Sequence, residues 1–180
     1  MRDEQAEPVL AYIPYRDFLA DVDAVAEKVS ADPWRADFLV GIGRGGLVPA
    51  AYLSHRLDIA MLSVDVSSGE AGFADELLVK LAAKMNAGQR ILIIDDINDS
   101  GGTIASLRSA LEAQGEGSGG GERVRVAVLL NNQRSRAEVD YWSRTIDRDE
   151  DKRWFVFPWE AQADRKTLIG EAAEVPERLA

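Results

Sequence analysis

The sequence predicts an α/β fold: an open, mainly parallel sheet flanked by helices, with a small hood toward the C-terminus. Three observations carry this. From about residue 15 to residue 131, short apolar runs alternate with stretches of helical spacing, the pattern of strands joined by crossover helices. Two of the apolar runs end in glycine-rich turns that open the following helix. Beyond residue 131 the alternation stops and an aromatic, charged stretch takes over.

Each element can be justified in order. Residues 15–29 place Phe18, Leu19, Val22, Val25, Ala26 and Val29 at helical spacing. "DFLVGI" (37–42) is a short apolar run ending in glycine, hence a strand. "GLVPAAYLSHRL" (46–57) is the helix after it, with Pro49 in the first turn, where proline is tolerated. "AMLSVDV" (60–66) is the second strand, and "SSGEAGFAD" (67–75) is a loop with little apolar content. "ELLVKLAAKMNAG" (76–88) is a helix closed by Gly88. "RILIID" (90–95) is the third strand, followed by a helix over 103–114. "GEGSGGGE" (115–122) is a flexible surface connection, and "RVRVAVLLN" (123–131) the fourth strand. "DYWSRTIDRDEDKRWFVFPWE" (140–160) is read as a small cap with a strand-like run over 154–157; the tail from Ala161 is polar, helical or loose. No internal repeat is visible. The expected organisation is one domain over 1–180, with a core of about 15–135, a hood of about 136–160 and a tail over 161–180.

Composition narrows the function classes. An apolar content of 46% over 180 residues can fill a sizeable core. A net charge of −10 argues against a general nucleic-acid binder, which needs a basic surface. With no cysteine there is no disulfide, thiolate metal site or cysteine nucleophile, which fits the cytoplasm. The single histidine, His55, excludes a multi-histidine metal site and reads as a surface or packing residue. No apolar run is long enough for a membrane span, and the N-terminus is too polar for a signal peptide. A cytoplasmic protein without membrane or nucleic-acid partners is expected.

The two glycine-rich turns carry the chemistry. In a parallel sheet, ligands gather at the carboxyl ends of the strands. Backbone N–H groups at a glycine turn, together with a helix N-terminus, suit a phosphate. In "GIGRGG" (41–46), Gly41, Gly43 and Gly46 match the dinucleotide fingerprint, and Asp65 stands about twenty residues on, where a ribose-binding acid would sit. A nicotinamide-dependent oxidoreductase is therefore one reading, but it leaves the second turn unexplained. No nucleotide P-loop is present. In "ILIIDDINDSGGT" (91–103), Asp95 and Asp96 are neighbours at the end of an apolar strand, so their side chains diverge. Such a pair can grip two adjacent hydroxyls or the water shell of one Mg²⁺. Asp99 lies further on and aims elsewhere, while Ser100, Gly101, Gly102 and Thr103 offer consecutive N–H groups and two hydroxyls, a cradle for a phosphate monoester. A helix cap would explain one of these acids and not three.

At these residues the chain resembles a family. "ILIIDDINDSGGT" is similar to the 5-phosphoribosyl-1-diphosphate (PRPP) signature of type I phosphoribosyltransferases, in which an apolar run is followed by two acids, a third acid and a T/S-G-G-T turn. "GIGRGGLVPA" (41–50) resembles the family's pyrophosphate loop, especially in bacterial xanthine-guanine and hypoxanthine enzymes. "WFVFPWE" (154–160) resembles the purine-binding hood of the same branch.

The resemblance implies transfer of phosphoribose from PRPP to a purine base, with a 6-oxopurine favoured, giving a nucleoside monophosphate and pyrophosphate. It implies that Asp95 and Asp96 bind the ribose hydroxyls directly or through Mg²⁺, and that Asp99 is the general acid/base near the purine N7. Ser100, Gly101, Gly102 and Thr103 would hold the 5′-phosphate; Gly43, Arg44 and Gly45 would present N–H groups to pyrophosphate, in a loop where the family often has a non-proline cis peptide. Trp154 would stack on the base, and loop 67–75 falls where the family has a mobile cover. Where such enzymes carry a lysine facing the purine O6, this chain has Asn131 and Asn132, either of which could donate a neutral hydrogen bond. Three aspartates facing an anionic substrate call for a cation, and Mg²⁺ needs few protein ligands. A homo-oligomer is also expected. The alternative of another class is a non-catalytic PRPP or nucleotide sensor on the same fold.

Overall fold

The computed structural model describes residues 7–64, 73–114 and 123–173. In chain order the elements are β1 (Leu10–Tyr12), α1 (Tyr15–Ala31), β2 (Phe38–Ile42), α2 (Gly43–Leu57), β3 (Met61–Val64), α3 (Phe73–Asn86), β4 (Ile91–Asn98), α4 (Gly102–Gln114), β5 (Val124–Asn132), β6 (Tyr141–Ile146), β7 (Trp154–Val156), a 3₁₀ turn (Glu160–Gln162) and α5 (Arg165–Ala173). Asp65, residues 67–72 of the expected cover, the stretch 115–122 and the tail beyond 173 lie outside the described residues.

β2 to β6 form a five-stranded sheet in the order β3-β2-β4-β5-β6. Every pairing in it is parallel, in register Gly41↔Ile94, Ile94↔Ala127 and Ala127↔Tyr141 across the middle. A parallel strand covered on both faces must be apolar along its length, and β4 shows why. Leu92 and Ile94 pack with α1 and α2 residues such as Phe18, Val25 and Leu53. Ile91 and Ile93 pack on the other face with Leu81 of α3 and Leu107 of α4. All four are buried, each contributing about 1.5–3 kcal/mol relative to exposure. The acids that follow are thus mounted on the central strand of the sheet, directly after its fully buried residues 91–94.

Several features differ from the sequence expectation: α2 already starts at Gly43, so Pro49 lies inside the helix and not in its first turn, and α3 takes in residues 73–75 of the expected loop. β4 continues to Asn98 instead of stopping at 95, because Asp95, Ile97 and Asn98 remain paired with Val128, Leu130 and Asn131 of β5. Asp95 and Asp96 therefore lie within the strand, where alternation still makes them diverge. β6 lies within the stretch expected as hood and is the fifth strand of the sheet. Its apolar pattern is broken because Ser143 and Arg144 donate to the buried Asp21 of α1, both at 2.7 Å. The remaining hood is β7, which pairs in parallel with β1 in register Leu10↔Trp154. The N-terminal segment thus carries the hood, and Trp154 N–H donates to the Val9 carbonyl at 2.8 Å. His55 is exposed on α2, as the surface reading required.

Candidate active site

The two glycine-rich turns open at the same edge of the sheet and share one cleft of about 540 Å³. Gly43, Arg44 and Gly45 line it from the start of α2; Asp95, Asp96, Asp99 and Thr103 line it from β4 and the turn after it. The hood contributes Trp154, Phe155, Phe157, Trp159 and Glu160, and α5 contributes Glu171. Arg148, which the sequence reading did not single out, lines it as well.

The first turn is shaped by close approach. A Cβ on Gly45 would lie 2.6 Å from Asp96 Oδ2, so only glycine lets that carboxylate reach the loop. The peptide bonds of the described residues are all trans, and Gly43 makes the bend with φ +54; the cis peptide expected here is absent from them. α2 begins after Ile42 with no side-chain cap and no acid in its first turn, so its first N–H groups have no capping side chain where Gly43, Arg44 and Gly45 line the cleft, an arrangement that suits an anion.

The second turn is held from beneath. Asn98 is buried, and its amide donates to Asn131 Oδ1 and to the Ala137 carbonyl at 2.8 Å each, while Ser135 Oγ donates to Asn98 Oδ1. Segment 133–140 thereby crosses under the Ser100–Gly101 peptide, where Gly101 has φ +81 and a Cβ would lie 2.6 Å from the Ala137 nitrogen. Ser100 Oγ accepts from the Gly102 N–H at 3.4 Å. Of the cradle residues, Thr103 faces the cleft; Ser100, Gly101 and Gly102 form the turn behind it.

The asparagines expected to face the base do not line the cleft. Asn131 accepts from Asn98. Asn132, buried, donates to the Asp99 carbonyl at 3.0 Å and accepts from the Arg148 N–H at 3.3 Å. Both amides thus organise the backbone of the site. The cation at the hood end of the cleft is Arg148, which forks onto the Asp99 carboxylate through Nε (3.0 Å) and Nη2 (2.7 Å).

Electrostatically the cleft is acidic: Asp95, Asp96, Asp99, Glu160 and Glu171 face Arg44 and Arg148. Burial pushes the Glu160 carboxyl up to about 7; nearby Asp96 and Glu171 add to the rise, and the Phe157 N–H that Glu160 accepts works against it. Arg44 sits 3.8 Å from Glu171. Trp159 stacks on Phe157 at 4.9 Å and meets Phe18 edge-on at 5.4 Å, so it is packed into the core as a cap, whereas Trp154 is half-buried at the cleft wall.

Comparison with known proteins bears on this geometry. The phosphoribosyl transferase domain model matches residues 12–166. The xanthine-guanine phosphoribosyltransferase of Cereibacter sphaeroides is 33% identical over 131 residues, spanning 71% of this chain and 70% of that one. The chain belongs to the phosphoribosyltransferase family. Two solved structures share the fold: a purine phosphoribosyltransferase from Pyrococcus horikoshii (TM-score 0.61, 24% identity, 84% of this chain and 94% of that one) and the Helicobacter pylori xanthine-guanine-hypoxanthine phosphoribosyltransferase (TM-score 0.62, 20% identity, 85% and 95%). The mainly parallel sheet flanked by helices is thus the type I phosphoribosyltransferase fold, as the signature implied, and the enzyme class follows with it. Among the described residues no helix is long and apolar enough to cross a membrane.

Arg148, Glu160 and Glu171 were missed in the sequence for different reasons. Glu160 closes the quoted hood motif, and nothing in the residues around it shows that its carboxyl is raised by desolvation in the cleft wall. Glu171 comes from a polar helix without periodicity. Arg148 sits in a run of alternating charges, "DRDEDKR" (147–153), that looks like solvated surface.

Proposed function

We propose that this phosphoribosyltransferase moves the 5-phosphoribosyl group of PRPP onto a purine base, with a 6-oxopurine favoured, releasing pyrophosphate and a nucleoside monophosphate. The observation that carries the reading is the convergence of both glycine turns, the aspartates and Trp154 on one cleft. In this reading Gly43, Arg44 and Gly45 receive pyrophosphate, Asp95 and Asp96 the ribose hydroxyls, and Ser100, Gly101, Gly102 and Thr103 the 5′-phosphate. Asp99 is the general acid/base, and Trp154 stacks on the base. The name of the Cereibacter sphaeroides relative, a xanthine-guanine enzyme, supports a purine carrying a 6-oxo group.

Mg²⁺ fits the donor set. Among the described residues no group of three or more His, Cys, Asp or Glu side chains could hold a metal alone, but Mg²⁺ is commonly bound by one or two carboxylates together with substrate oxygens. Asp95 and Asp96 would hold it here, and it would neutralise the diphosphate against an acidic cleft. The same reading takes the protein as a cytoplasmic homo-oligomer, and sedimentation velocity tests the assembly.

The test is pyrophosphate release from PRPP and Mg²⁺ with guanine, hypoxanthine, xanthine and adenine in parallel. Release with one or more 6-oxopurines is expected, with adenine poor. Adenine as preferred substrate would overturn the 6-oxopurine assignment. Binding of PRPP or GMP without turnover of any base would favour the sensor.

A further inference from the structure

Arg148 is a buried cation in a loop that looks like surface, with 9% of its side chain exposed. Every polar group of its side chain is engaged. Nε and Nη2 fork onto the two oxygens of Asp99, and Nη1 donates to the Asp151 carbonyl at 3.1 Å and the Arg153 carbonyl at 2.6 Å. Its guanidinium also lies 5.1 Å from the centre of the Phe155 ring. One side chain therefore joins the acid that follows β4 to the two carbonyls just before Trp154 and to the residue just after it.

The loop that presents Arg148 is itself pinned. Asp147 accepts from Gln133 at 2.5 Å and from Arg134 at 2.7 Å, and its carboxyl is drawn down to about 2, chiefly by Arg134. Asn132 then accepts from the Arg148 N–H while donating to the Asp99 carbonyl. Asp99 is thus held by its backbone from β5 and by its side chain from the hood.

We propose that Arg148 is the positioning residue of this active site: it sets the plane of the Asp99 carboxylate and locks the hood strand bearing Trp154 to it, so that acid/base and stacking ring are placed as one unit. This rests on the function proposed above. The fork takes one acceptor position from each oxygen of the carboxylate, a bidentate geometry that fixes its plane. Removing the fork takes away two bonds that fix the Asp99 terminal torsion, which is intrinsically broad. A misplacement of about 1 Å can cost on the order of 100-fold in rate. Lysine keeps the charge but is a point donor that cannot fix a plane.

The experiment compares wild type, Arg148→Lys, Arg148→Met, Asp99→Asn and Asp99→Asn/Arg148→Met, each checked for folding by circular dichroism. Steady-state kinetics use PRPP, Mg²⁺ and the base that the wild type turns over, and Trp fluorescence follows GMP and PRPP binding. Arg148→Met is expected to lower kcat by about 10–100-fold and Arg148→Lys by less. Both should raise the KM for the base and weaken GMP binding, by roughly 10-fold in the methionine variant, while PRPP binding stays within about twofold, since the Arg148 side chain bonds to Asp99 and to hood carbonyls and not directly to residues 43–45 or 100–103. Within the Asp99→Asn background the methionine substitution should cost less than about threefold in kcat, because the two residues act as a unit. A merely structural arginine would lower kcat equally in both backgrounds. That outcome, or unchanged kcat and GMP binding in a folded variant, overturns the proposal. If Arg148→Met does not fold, the lysine variant decides by the same split between kcat and PRPP binding. If the wild type binds GMP but turns over no base, the enzymatic reading fails and the proposal is judged on GMP affinity. A wild type that neither binds nor reacts overturns both.

Discussion

Replacing Glu160 with glutamine should stabilise the protein at alkaline pH and leave it nearly unchanged in acid. Glu160 lines the cleft beside Asp96 and Glu171, and burial is the main force raising its carboxyl from 4.5 to about 7. The native state therefore keeps the proton over a range where the unfolded chain has lost it. Below about 4.5 both states are protonated and stability does not depend on this group. Between about 4.5 and 7 the native state binds more protons, so stability falls as pH rises, with a slope approaching 1.4 kcal/mol per pH unit. Above about 7 both states are ionised and the slope vanishes. The full difference is roughly 3 kcal/mol, a large part of the stability of an ordinary domain. Glutamine mimics the protonated acid, and its amide oxygen can still accept the Phe157 N–H that Glu160 now receives at 2.8 Å.

The assay is urea denaturation of both proteins from pH 5 to pH 9. The difference between them isolates this group, because the other titrations largely cancel. It should be below about 1 kcal/mol at pH 5, widen through neutrality and level off above pH 8 in favour of Glu160→Gln. A flat difference across that range, or one favouring the wild type at pH 9, would refute the placement of Glu160 in a desolvated, acidic wall. The functional corollary is that at neutral pH Glu160 is only about half ionised, so the cleft carries roughly half a negative charge less than its five carboxylates suggest, which eases the approach of an anionic substrate.

The active-site residues make separable predictions. Asp99→Asn should lower turnover by about 10²–10⁴-fold, with PRPP affinity little changed; near-wild-type turnover, with chemistry rate-limiting, would remove Asp99 from the acid/base role. Asp95→Asn and Asp96→Asn should instead raise the PRPP and Mg²⁺ concentrations needed for half-maximal rate, measured by titrating each at saturating base. Trp154→Ala should raise the KM for the base by about one to two orders of magnitude, since stacking is worth roughly 1–3 kcal/mol per base. An unchanged KM would place the stacking surface elsewhere. Gly45→Ala should displace the Asp96 carboxylate, which would lie 2.6 Å from the new methyl carbon, and isothermal titration calorimetry should show weaker PRPP binding in a protein that still folds.

What the sequence revealed and what it hid divide along the range of the interactions involved. β2, β4 and β5 were legible because burial on both faces forces each to be apolar within its own few residues. The two turns were legible because each is written in adjacent residues, glycines that open a helix directly after an apolar strand. β1 was not: its pairing partner Trp154 is far away in sequence and nothing in "LAY" announces it. β6 was hidden because Ser143 and Arg144 answer a buried aspartate on α1, which breaks the apolar pattern of a strand. The same reasoning applies within the site. Asp95, Asp96 and Asp99 form a local pattern, whereas the cation that faces Asp99 arrives from residue 148, through a loop whose alternating charges suggest solvent. Asn131 and Asn132 show the reverse error: sequence position put them where a base-facing donor belongs, but the hydrogen bonds of Asn98, Asp99 and Arg148 claim their amides. A buried polar group must be paired, so the chain that omits a cation at 131 and keeps Asp99 buried has to bring one from elsewhere. Arg148 is that cation, and its dependence on Asp99 makes it invisible to any reading of its own neighbourhood.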